Sequence, residues 1–288
     1  MTGKQKGLLT DCAVYAAAFG IGLIPFSMAE DIFTAVALMT GTATLVIFAA
    51  TVLLKDVSVY DPYWSVAPPV LLLAAMVRFR LWNGNAVLLL ALIGVWAARL
   101  TINWYETYAG IGREDWRYAM YREKLPAPVF QLLSLLGLQM MPTLVVYLGL
   151  VSALYAAQQP VFVPLCAVGA AVMLSAVLLE YVSDSTIHRF LREHAGERRT
   201  CDISVWQYTR HPNYLGEMLF WTGLFLYFAV LCPSIWYRGT GFLAIIALFL
   251  FVSIPMMEKH NAQRRDDYGA YRSRTPMLLP LPKRISKS

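Results

Sequence analysis

The chain has 288 residues, of which 58% are hydrophobic and 15% charged, and its mean hydropathy is +0.53. This composition excludes a soluble domain of this size, because uncharged runs of about 20 residues, the length that crosses a bilayer, recur along the chain. In a membrane protein the net charge of +6 reports topology and contact with anionic lipid rather than nucleic acid, so no nucleic-acid partner is expected. We predict an all-α polytopic membrane protein.

Eight apolar segments follow one another along the chain. The third is short and contains Pro68 and Pro69, so it is expected to be kinked or incomplete. A short polar turn is expected before it, at residues 55–64. We therefore predict a bundle of seven or eight transmembrane helices that forms a single transmembrane domain, residues 1–288. The predicted segments are residues 8–27, 32–54, 65–77, 86–105, 129–156, 161–182, 213–231 and 241–257.

Lysine and arginine predict the orientation of these segments, because both residues are enriched on the cytosolic side. With both termini in the cytosol, 20 of the 24 Lys and Arg residues fall on that side and three on the other, while Arg99 lies within a segment. We therefore expect both termini, the connector 106–128, the basic loop 183–212 and the tail to be cytosolic. The expected location is the bacterial inner membrane.

Motifs for several other kinds of site are missing. The sequence has no Gly-x-Gly-x-x-Gly, no Walker loop and no Gly-x-Ser-x-Gly, which excludes a Rossmann domain and an α/β-hydrolase at the level of motifs. The histidines lack the spacing of metal ligands, so no metal is expected, and the scattered cysteines are expected to pack as apolar residues. These residues are His188, His194, His211, His260, Cys12, Cys166, Cys201 and Cys232.

The 210–217 stretch joins the basic loop to the seventh segment and concentrates groups that can bind a ligand. Pro212 suits the first turn of a helix, whose free N–H groups and dipole favour an anion. Arg210 can hold a phosphate through two N–H groups, and Asn213 and Tyr214 add an amide and a phenol. Glu217 lies about one turn further, where the bilayer begins and a carboxylate is costly. The alternative is that these residues only anchor the helix to the lipid headgroups.

Further polar residues line helical faces within or at the ends of the predicted segments. Residues four apart share a face of a helix, so each set is expected to point together into the bundle, where mixed acid, amide and base would suit a large ligand. The alternative is an ion pair between Arg99 and Glu180 or Asp184 that holds two helices together. The two stripes are Arg99 with Asn103, and Glu180, Asp184 and His188 continued by Arg192.

A cluster of charged and aromatic residues follows the last segment. A tail that only contacts lipid needs Lys and Arg, whereas this one interleaves them with Tyr, Glu and His. Part of the cluster is expected to contact headgroups and part to belong to a site. Its members are Glu258, His260, Arg264, Arg265, Tyr268, Tyr271, Arg272 and Arg274.

The 210–217 stretch and the tail resemble the C-terminal domain of the steroid 5α-reductase superfamily. The similar residues are Arg210-His211-Pro212-Asn213-Tyr214-x-Gly216-Glu217, with Tyr268, Tyr271, Pro276 and Pro280. Asp115-Trp116-Arg117-Tyr118 after Asn103-Trp104 is most similar to the superfamily's uncharacterised bacterial branch. The resemblance covers residues 102–282.

This resemblance implies a cofactor and a site. In that superfamily NADPH binds in a cytosol-facing cavity of the helix bundle, which would fall here within residues 102–282. The resemblance implies that Asn213, Tyr214 and Glu217 lie beside the nicotinamide. It implies that the phosphates and adenosine are served by Asp184, Arg192, Arg210, Tyr268, Tyr271 and Arg274. The predicted cofactor-binding set is completed by Arg99, Asn103, Glu180, His188, His211 and Glu258.

The sequence departs from that superfamily at the catalytic carboxylate. Steroid reductases use a Glu and a Tyr from the N-terminal half to polarise the substrate enone, yet residues 32–54 contain no Glu. The nearest candidates are Asp61 with Tyr60 or Tyr63, because a Tyr hydroxyl backed by a carboxyl group could donate to the carbonyl oxygen. The alternative is that Asp61 is a turn residue before Pro62. The expected substrate is a steroid-like or other lipophilic enone, or an activated alkene.

Two other classes of function stay open. Isoprenylcysteine and phospholipid methyltransferases share an Arg-His-Pro-x-Tyr stretch and a carboxylate near Glu258, but they bind S-adenosylmethionine. They need less phosphate recognition, so the Arg-rich loop favours a dinucleotide. A transporter or lipid-binding protein would place ionisable residues near the bilayer midplane, whereas the polar residues here lie mostly at cytosolic ends. The expected activity is therefore NADPH-dependent reduction of a carbon–carbon double bond, in lipid metabolism.

Overall fold

The computed structural model describes residues 2–279, and within that range every regular element is helical. Pro280 and the end of the region drawn from the resemblance, as far as residue 282, lie outside the described residues. The α-helices are α1 (Gly3–Met28), α2 (Ile32–Leu54), α3 (Tyr63–Phe79), α4 (Gly84–Thr107), α5 (Trp116–Lys124), α6 (Ala127–Leu133), α7 (Met141–Ala157), α8 (Cys166–Glu193), α9 (Pro212–Leu231), α10 (Phe242–Leu248), α11 (Ile254–Arg264) and α12 (Tyr268–Arg274).

Eight helical stretches in residues 2–279 are long and apolar enough to cross a membrane, which confirms the predicted all-α polytopic membrane protein. Several extend past the predicted ends because polar side chains cap them: Thr2 accepts the N–H of Gln5 at the start of α1, and Asn83 accepts the N–H of Ala86 at the start of α4. The stretches are Gly3–Met28, Ile32–Leu54, Val57–Phe79, Gly84–Thr107, Ala127–Ala157, Cys166–Glu193, Pro212–Leu231 and Pro233–Arg264.

The turn predicted at residues 55–64 is not a polar surface loop. Its residues Val57, Val59 and Tyr60 form part of a 3₁₀ turn, and each is 2% exposed. Asp56 caps this turn by accepting the N–H of Ser58 at 2.9 Å. Because side chains satisfy its backbone, the segment can be buried, and it lengthens the third apolar stretch to 23 residues. The predicted turn is therefore present, but it is buried and belongs to the third apolar stretch.

Two of the long stretches contain a π-helical turn shortly before a proline. Ser134–Met140 precede Pro142, and Phe249–Ser253 precede Pro255. Proline cannot donate an N–H to the preceding turn and its ring crowds the carbonyl there, so a wider turn accommodates it. Helix α6 thus continues into α7, and α10 into α11, without leaving the helical path.

The chain divides into two compact units. The first contains Met1–Phe162 and Leu231–Gly241, and the second contains Val163–Val230 and Phe242–Ser288. In the second unit α8 and α9 pack closely: a Cβ atom added to Gly169 would lie 2.6 Å from the backbone nitrogen of Tyr227. Small residues permit this approach of two backbones. That the whole chain forms a single transmembrane domain stays a prediction.

Candidate functional site

The 210–217 stretch is fastened at its start to the C-terminal segment of the second unit. The hydroxyl of Thr209 donates to the carbonyl of Met277 at 3.1 Å, and the backbone N–H of Arg210 donates to the carbonyl of Pro276 at 3.0 Å. Helix α9 begins directly afterwards at Pro212, a position that suits the fixed φ of proline. The segment just before α9 is therefore hydrogen-bonded to the C-terminal end of the described chain.

Glu258 is the centre of a hydrogen-bonded group, here called the Glu258 cluster, which also contains Arg210, His211 and Tyr268. Its Oε1 atom lies 2.9 Å from Arg210 Nε, 2.8 Å from His211 Nε2 and 2.8 Å from the Tyr268 hydroxyl. The side chains of Arg210, His211 and Glu258 are 11%, 5% and 13% exposed. The Glu258 carboxylate is shielded from water and accepts hydrogen bonds from a guanidinium and a phenol, so these bonds fix its position.

Arg210 was predicted to hold a phosphate, but the structure engages its guanidinium within the protein. Besides the bond to Glu258, one terminal nitrogen donates to the carbonyls of Arg272 and Thr275, each at 2.9 Å. Arg210 therefore ties the start of α9 to both α11 and α12. This geometry makes it a positioning residue, and a direct contact with phosphate stays a prediction.

The predicted tail residues Tyr271 and Arg274 also have partners within the second unit. The hydroxyl of Tyr271 donates to the carbonyl of Trp206 at 2.6 Å, and Arg274 forms an ion pair with Asp202. Burial raises the pKa of Tyr271, and also that of Tyr268, above the ordinary value, so both phenols stay protonated at neutral pH. These residues brace α12 against the basic loop.

The basic loop makes two further contacts with the region of α12. Thr200 donates to Asp267 Oδ1 from its hydroxyl at 2.6 Å and from its N–H at 2.9 Å. Arg198 pairs with Asp266 at 2.8 Å. Burial alone would raise the pKa of Asp267, but the hydrogen bonds from Thr200 outweigh it and hold the pKa below its ordinary value. Some of the charged side chains that were predicted to contact a ligand or lipid therefore pair with other residues of the protein.

The first turn of α9 offers less free backbone N–H than predicted. The amide oxygen of Asn213 accepts the N–H of Tyr214 at 3.0 Å. The Tyr214 ring stacks on His211 with 5.5 Å between ring centroids, and it contacts Phe249 at 5.0 Å. Asn213 and Tyr214 thus shape the helix start, and their contacts with a nicotinamide stay predictions.

Two buried carboxylates lie where α8 meets α9. Glu180 has an exposure of 0% and Glu217 of 5%, and both have interaction partners. A Cβ atom on Gly216 would overlap the side chain of Glu180, so the absence of a side chain at Gly216 makes room for that carboxylate. Carboxylates within membrane-spanning helices are costly and are usually functional. This pair is the strongest indication of a site in the 210–217 stretch.

The polar stripe predicted on α8 does not stay on one face. Glu180 and Asp184 are buried, His188 is partly exposed, and Arg192 is exposed. Each step of four residues turns about 40° too far on a helix of 3.6 residues per turn, so three steps amount to about 120°. The expectation that Arg192 continues the buried stripe was wrong for this reason.

Arg99 and Asn103 lie on α4, in the first unit, whereas the acidic stripe lies in the second. Arg99 has an interaction partner. Within residues 2–279, no hydrogen-bond donor reaches the buried amide oxygen of Asn103. The predicted ion pair of Arg99 with Glu180 or Asp184 stays a prediction.

Asp61 has a tyrosine partner, but not one of the two that were predicted. The hydroxyl of Tyr118, on α5, donates to Asp61 Oδ1 at 2.5 Å. The hydroxyls of Tyr60 and Tyr63 bond instead to threonine hydroxyls of α7 and α2, at 2.9 and 3.0 Å. The expected pairing of Asp61 with Tyr60 or Tyr63 was wrong, because the hydroxyls of both tyrosines are directed to threonines of neighbouring helices.

Hydrogen bonds between the connector and the 3₁₀ turn hold the Asp61–Tyr118 pair in place. Asp56 Oδ2 accepts the N–H of Gly112 at 2.7 Å, and Ser58 Oγ accepts the N–H of Asp115 at 2.8 Å. Glu114 accepts the N–H of the first residue of the turn at 2.9 Å. These bonds cross from one segment to the other in both directions, so the two segments form one polar framework in the first unit.

Comparison with known proteins places this framework and the 210–217 stretch in one family. Residues 47–275 match the family described as "Protein of unknown function (DUF1295)". The chain belongs to this family. It is also 21% identical over 262 residues to the Schizosaccharomyces pombe protein described as "Uncharacterized protein C594.04c", in an alignment that covers 82% of this chain and 76% of that protein. No solved structure matches the chain.

The DUF1295 match begins well before residue 102, where the resemblance drawn from the sequence became strong. It therefore includes Asp61 as well as Tyr118. Sequence reasoning missed Tyr118 as a partner of Asp61 because 57 residues separate them. Tyr118 belongs to Asp115-Trp116-Arg117-Tyr118, the stretch that resembles the bacterial branch, and this resemblance is the sequence feature that could have indicated it.

Burial raises the pKa of Tyr118 well above its ordinary value, and the Asp61 carboxylate adds to the effect. Within residues 2–279 of this DUF1295 protein, no group of three or more His, Cys, Asp or Glu side chains is arranged to hold a metal ion. The Asp61–Tyr118 pair can provide a positioned hydroxyl.

Proposed function

We propose that this protein is a membrane-embedded, NADPH-dependent reductase of a carbon–carbon double bond in a steroid-like or other lipophilic enone. The observation that carries the proposal is the Asp61–Tyr118 pair, a buried phenol held 2.5 Å from a carboxyl group. Reduction of an enone develops negative charge on the carbonyl oxygen, which a positioned hydroxyl can stabilise. Methyl transfer has no such requirement.

Tyr118 is the proposed donor to that carbonyl oxygen. When bound, NADPH would supply a hydride to one alkene carbon and leave as NADP⁺. Tyr118 gives its proton to the carbonyl oxygen, the enol so formed becomes the saturated ketone, and Tyr118 takes a proton back from water. The raised pKa of Tyr118 keeps its phenol protonated until charge develops on the substrate. Asp61 positions the phenol, and a protonated Asp61 can donate to the phenol oxygen, which frees the phenol hydrogen for the carbonyl.

The second unit fits the cofactor in part. The Asn213 amide and the Glu217 carboxylate match a nicotinamide carboxamide, which both donates and accepts hydrogen bonds. Arg199 and Arg272 are exposed and make only long ion pairs, of 3.6 and 3.5 Å, so they retain donors for phosphate. Arg210 then acts through the Glu258 cluster as a positioning residue.

We also infer that the DUF1295 family is related to the steroid 5α-reductase superfamily. The residues that carry the resemblance in the 210–217 stretch lie within the family match, as do Asp61 and Tyr118. The proposed setting is lipid metabolism in a bacterial inner membrane, with a lipophilic small molecule as substrate. The basic cytosolic side predicted from Lys and Arg would give NADPH direct access.

One observation favours a second candidate, an S-adenosylmethionine-dependent methyltransferase of the isoprenylcysteine or phospholipid type. Glu180 and Glu217 are buried carboxylates at the packing of α8 and α9. S-adenosylmethionine carries a sulfonium and an ammonium group, and buried carboxylates would stabilise both cations. The reductase is preferred because the Asp61–Tyr118 pair has no part in methyl transfer.

Thermal unfolding of the purified full chain with NADPH, NADH or S-adenosylmethionine tests the proposal. We expect NADPH to stabilise the protein, by about 2.7 kcal/mol at 100 times its Kd. Glu217→Gln and Arg210→Ala should each weaken NADPH binding strongly, whereas Glu123→Gln, at an exposed position of α5, should not. Unchanged NADPH affinity in both site variants contradicts the cofactor site, and stabilisation by S-adenosylmethionine alone identifies the methyltransferase.

A further inference from the structure

One face of α8 is exposed along the length of the helix. Its exposed positions recur every three or four residues, the spacing of a single helical face. Leu174, Leu178 and Tyr181 lie on this face and are 47%, 64% and 60% exposed. On a membrane-spanning helix, an apolar face of this kind contacts lipid chains.

The same face becomes cationic at its C-terminal end. After Ser185, the next exposed positions on it are Arg189 and Arg192. Eight residues separate Tyr181 from Arg189, which at 1.5 Å per residue is about 12 Å along the helix. The face therefore passes from apolar to cationic within about two turns, as expected where hydrocarbon gives way to headgroups.

Arg189 and Arg192 form no ion pair with a residue of the described chain, 2–279. Other arginines of the same region do: Arg198 and Arg274 pair with aspartates. Glu193 is also exposed at this end of α8 and offsets one positive charge, so the face keeps a net positive charge. Arg189 and Arg192 are in line with the apolar face of α8.

We propose that this face of α8 binds an anionic phospholipid, with its headgroup phosphate at Arg189 and Arg192 and its acyl chains along Leu178 and Leu174. Residues three apart on a helix have neighbouring side chains, so the two guanidinium groups can grip one phosphate. The apolar face favours a lipid over a free phosphate, because only a lipid can contact both the apolar residues and the two arginines. The proposal does not depend on the reaction that the protein catalyses.

The test compares the full chain in phosphatidylcholine nanodiscs with and without phosphatidylglycerol, by thermal unfolding and by native mass spectrometry of retained lipid. Each arginine near an anionic surface contributes about 1 kcal/mol, so Arg189→Gln with Arg192→Gln should weaken retention of phosphatidylglycerol about thirtyfold. The stabilisation that phosphatidylglycerol gives the wild type should be lost in this double variant.

The matched control is Arg113→Gln with Lys124→Gln, which removes the same charge from exposed positions of the connector in the first unit. It should retain phosphatidylglycerol as the wild type does. Equal loss in the control, or no loss in the Arg189 and Arg192 variant, overturns the proposal. Inorganic phosphate is added to phosphatidylcholine nanodiscs as a separate arm, and stabilisation by phosphate alone that needs the two arginines also overturns it.

Discussion

The Asp61–Tyr118 pair and the Glu258 cluster both join a carboxylate to a tyrosine hydroxyl, but they differ in the cations around the carboxylate. Glu258 contacts Arg210 at 2.9 Å and His211 at 2.8 Å. Within residues 2–279, Asp61 forms no ion pair within 4.0 Å; Arg117 pairs with Asp115 at 2.7 Å and acts on Asp61 only over a longer distance. The first unit therefore contains a carboxyl group that no cation of the described residues contacts directly, and the second a carboxylate that is paired with Arg210.

This difference separates a chemical role from a structural one. A charge-compensated carboxylate contributes to stability because removing it leaves its partners buried without a counter-charge. A carboxyl group whose hydrogen-bond partner is a phenol, and which no cation contacts directly, is better suited to proton transfer. The variants that test this comparison should lose stability in one unit and turnover in the other.

The largest expected effect is the loss of stability when Glu258 is removed. Glu258→Ala leaves Arg210 and His211 without their shared acceptor, so the free energy of unfolding should fall by about 3 kcal/mol or more. Thermal unfolding and protease sensitivity of the C-terminal segment measure it. Glu258→Gln keeps one acceptor oxygen and should lose less, and an Ala variant as stable as wild type would show that the cluster is not structural.

The next effect is on turnover. Tyr118→Phe should lower turnover of any enone that the protein reduces by about a hundredfold, or about 2.7 kcal/mol of barrier, because the general acid is lost. Asp61→Asn should also lower turnover and leave NADPH affinity intact. Tyr60→Phe is the matched control, since its hydroxyl bonds to Thr143 and not to Asp61. If the Tyr60 variant is as impaired as the Tyr118 variant, Tyr118 is not the specific proton donor, and Tyr60, which was predicted from the sequence, becomes the candidate again.

The smallest expected effect is a pH dependence of the contact between the basic loop and α12. The hydrogen bonds from Thr200 outweigh the effect of burial and lower the pKa of Asp267 in the folded protein, below the ordinary value of 3.8. Their stabilising contribution is therefore present above that ordinary value and is lost as the pH falls through the lower, folded-state pKa. The contribution is less than about 1 kcal/mol because the site is exposed to solvent.

Limited proteolysis of the basic loop from pH 7 down to pH 3 measures this effect. The wild type should become more sensitive at the acidic end, and Asp267→Asn should be sensitive throughout with a weaker dependence on pH. The Glu258 cluster should stay intact over the upper part of this range, which separates the two contacts within the second unit. Equal pH dependence in wild type and Asp267→Asn would exclude Asp267 as the titrating group.

Much of the fold was predictable because hydropathy is a local property. The eight apolar segments were identified from runs of apolar residues, and the structure extends several of them at capped ends such as Thr2 and Asn83. The third segment was underestimated, since the hydrogen bonds that bury the 3₁₀ turn come from the connector. Boundaries set by distant partners cannot be obtained from a local pattern.

The candidate site was predictable to a smaller degree. The sequence singled out Arg210, Glu258 and Tyr268 as functional, and the structure brings these three together in one cluster. It did not indicate that Arg210 would be engaged by Glu258 and by backbone carbonyls, because a guanidinium suits a carboxylate as well as a phosphate. The roles of these residues in binding a cofactor stay predictions.

The sequence by itself determined the eight apolar helices, because about 20 uncharged residues can satisfy their backbone in a bilayer only as a helix. It also determined which residue types are available for chemistry near the helix ends. Only the tertiary structure decided that Asp61 pairs with Tyr118, that Glu258 is compensated, and that Arg192 is exposed with Arg189. These outcomes depend on contacts between segments far apart in the chain and on which face of α8 the other helices cover, and neither is encoded in a local run of residues.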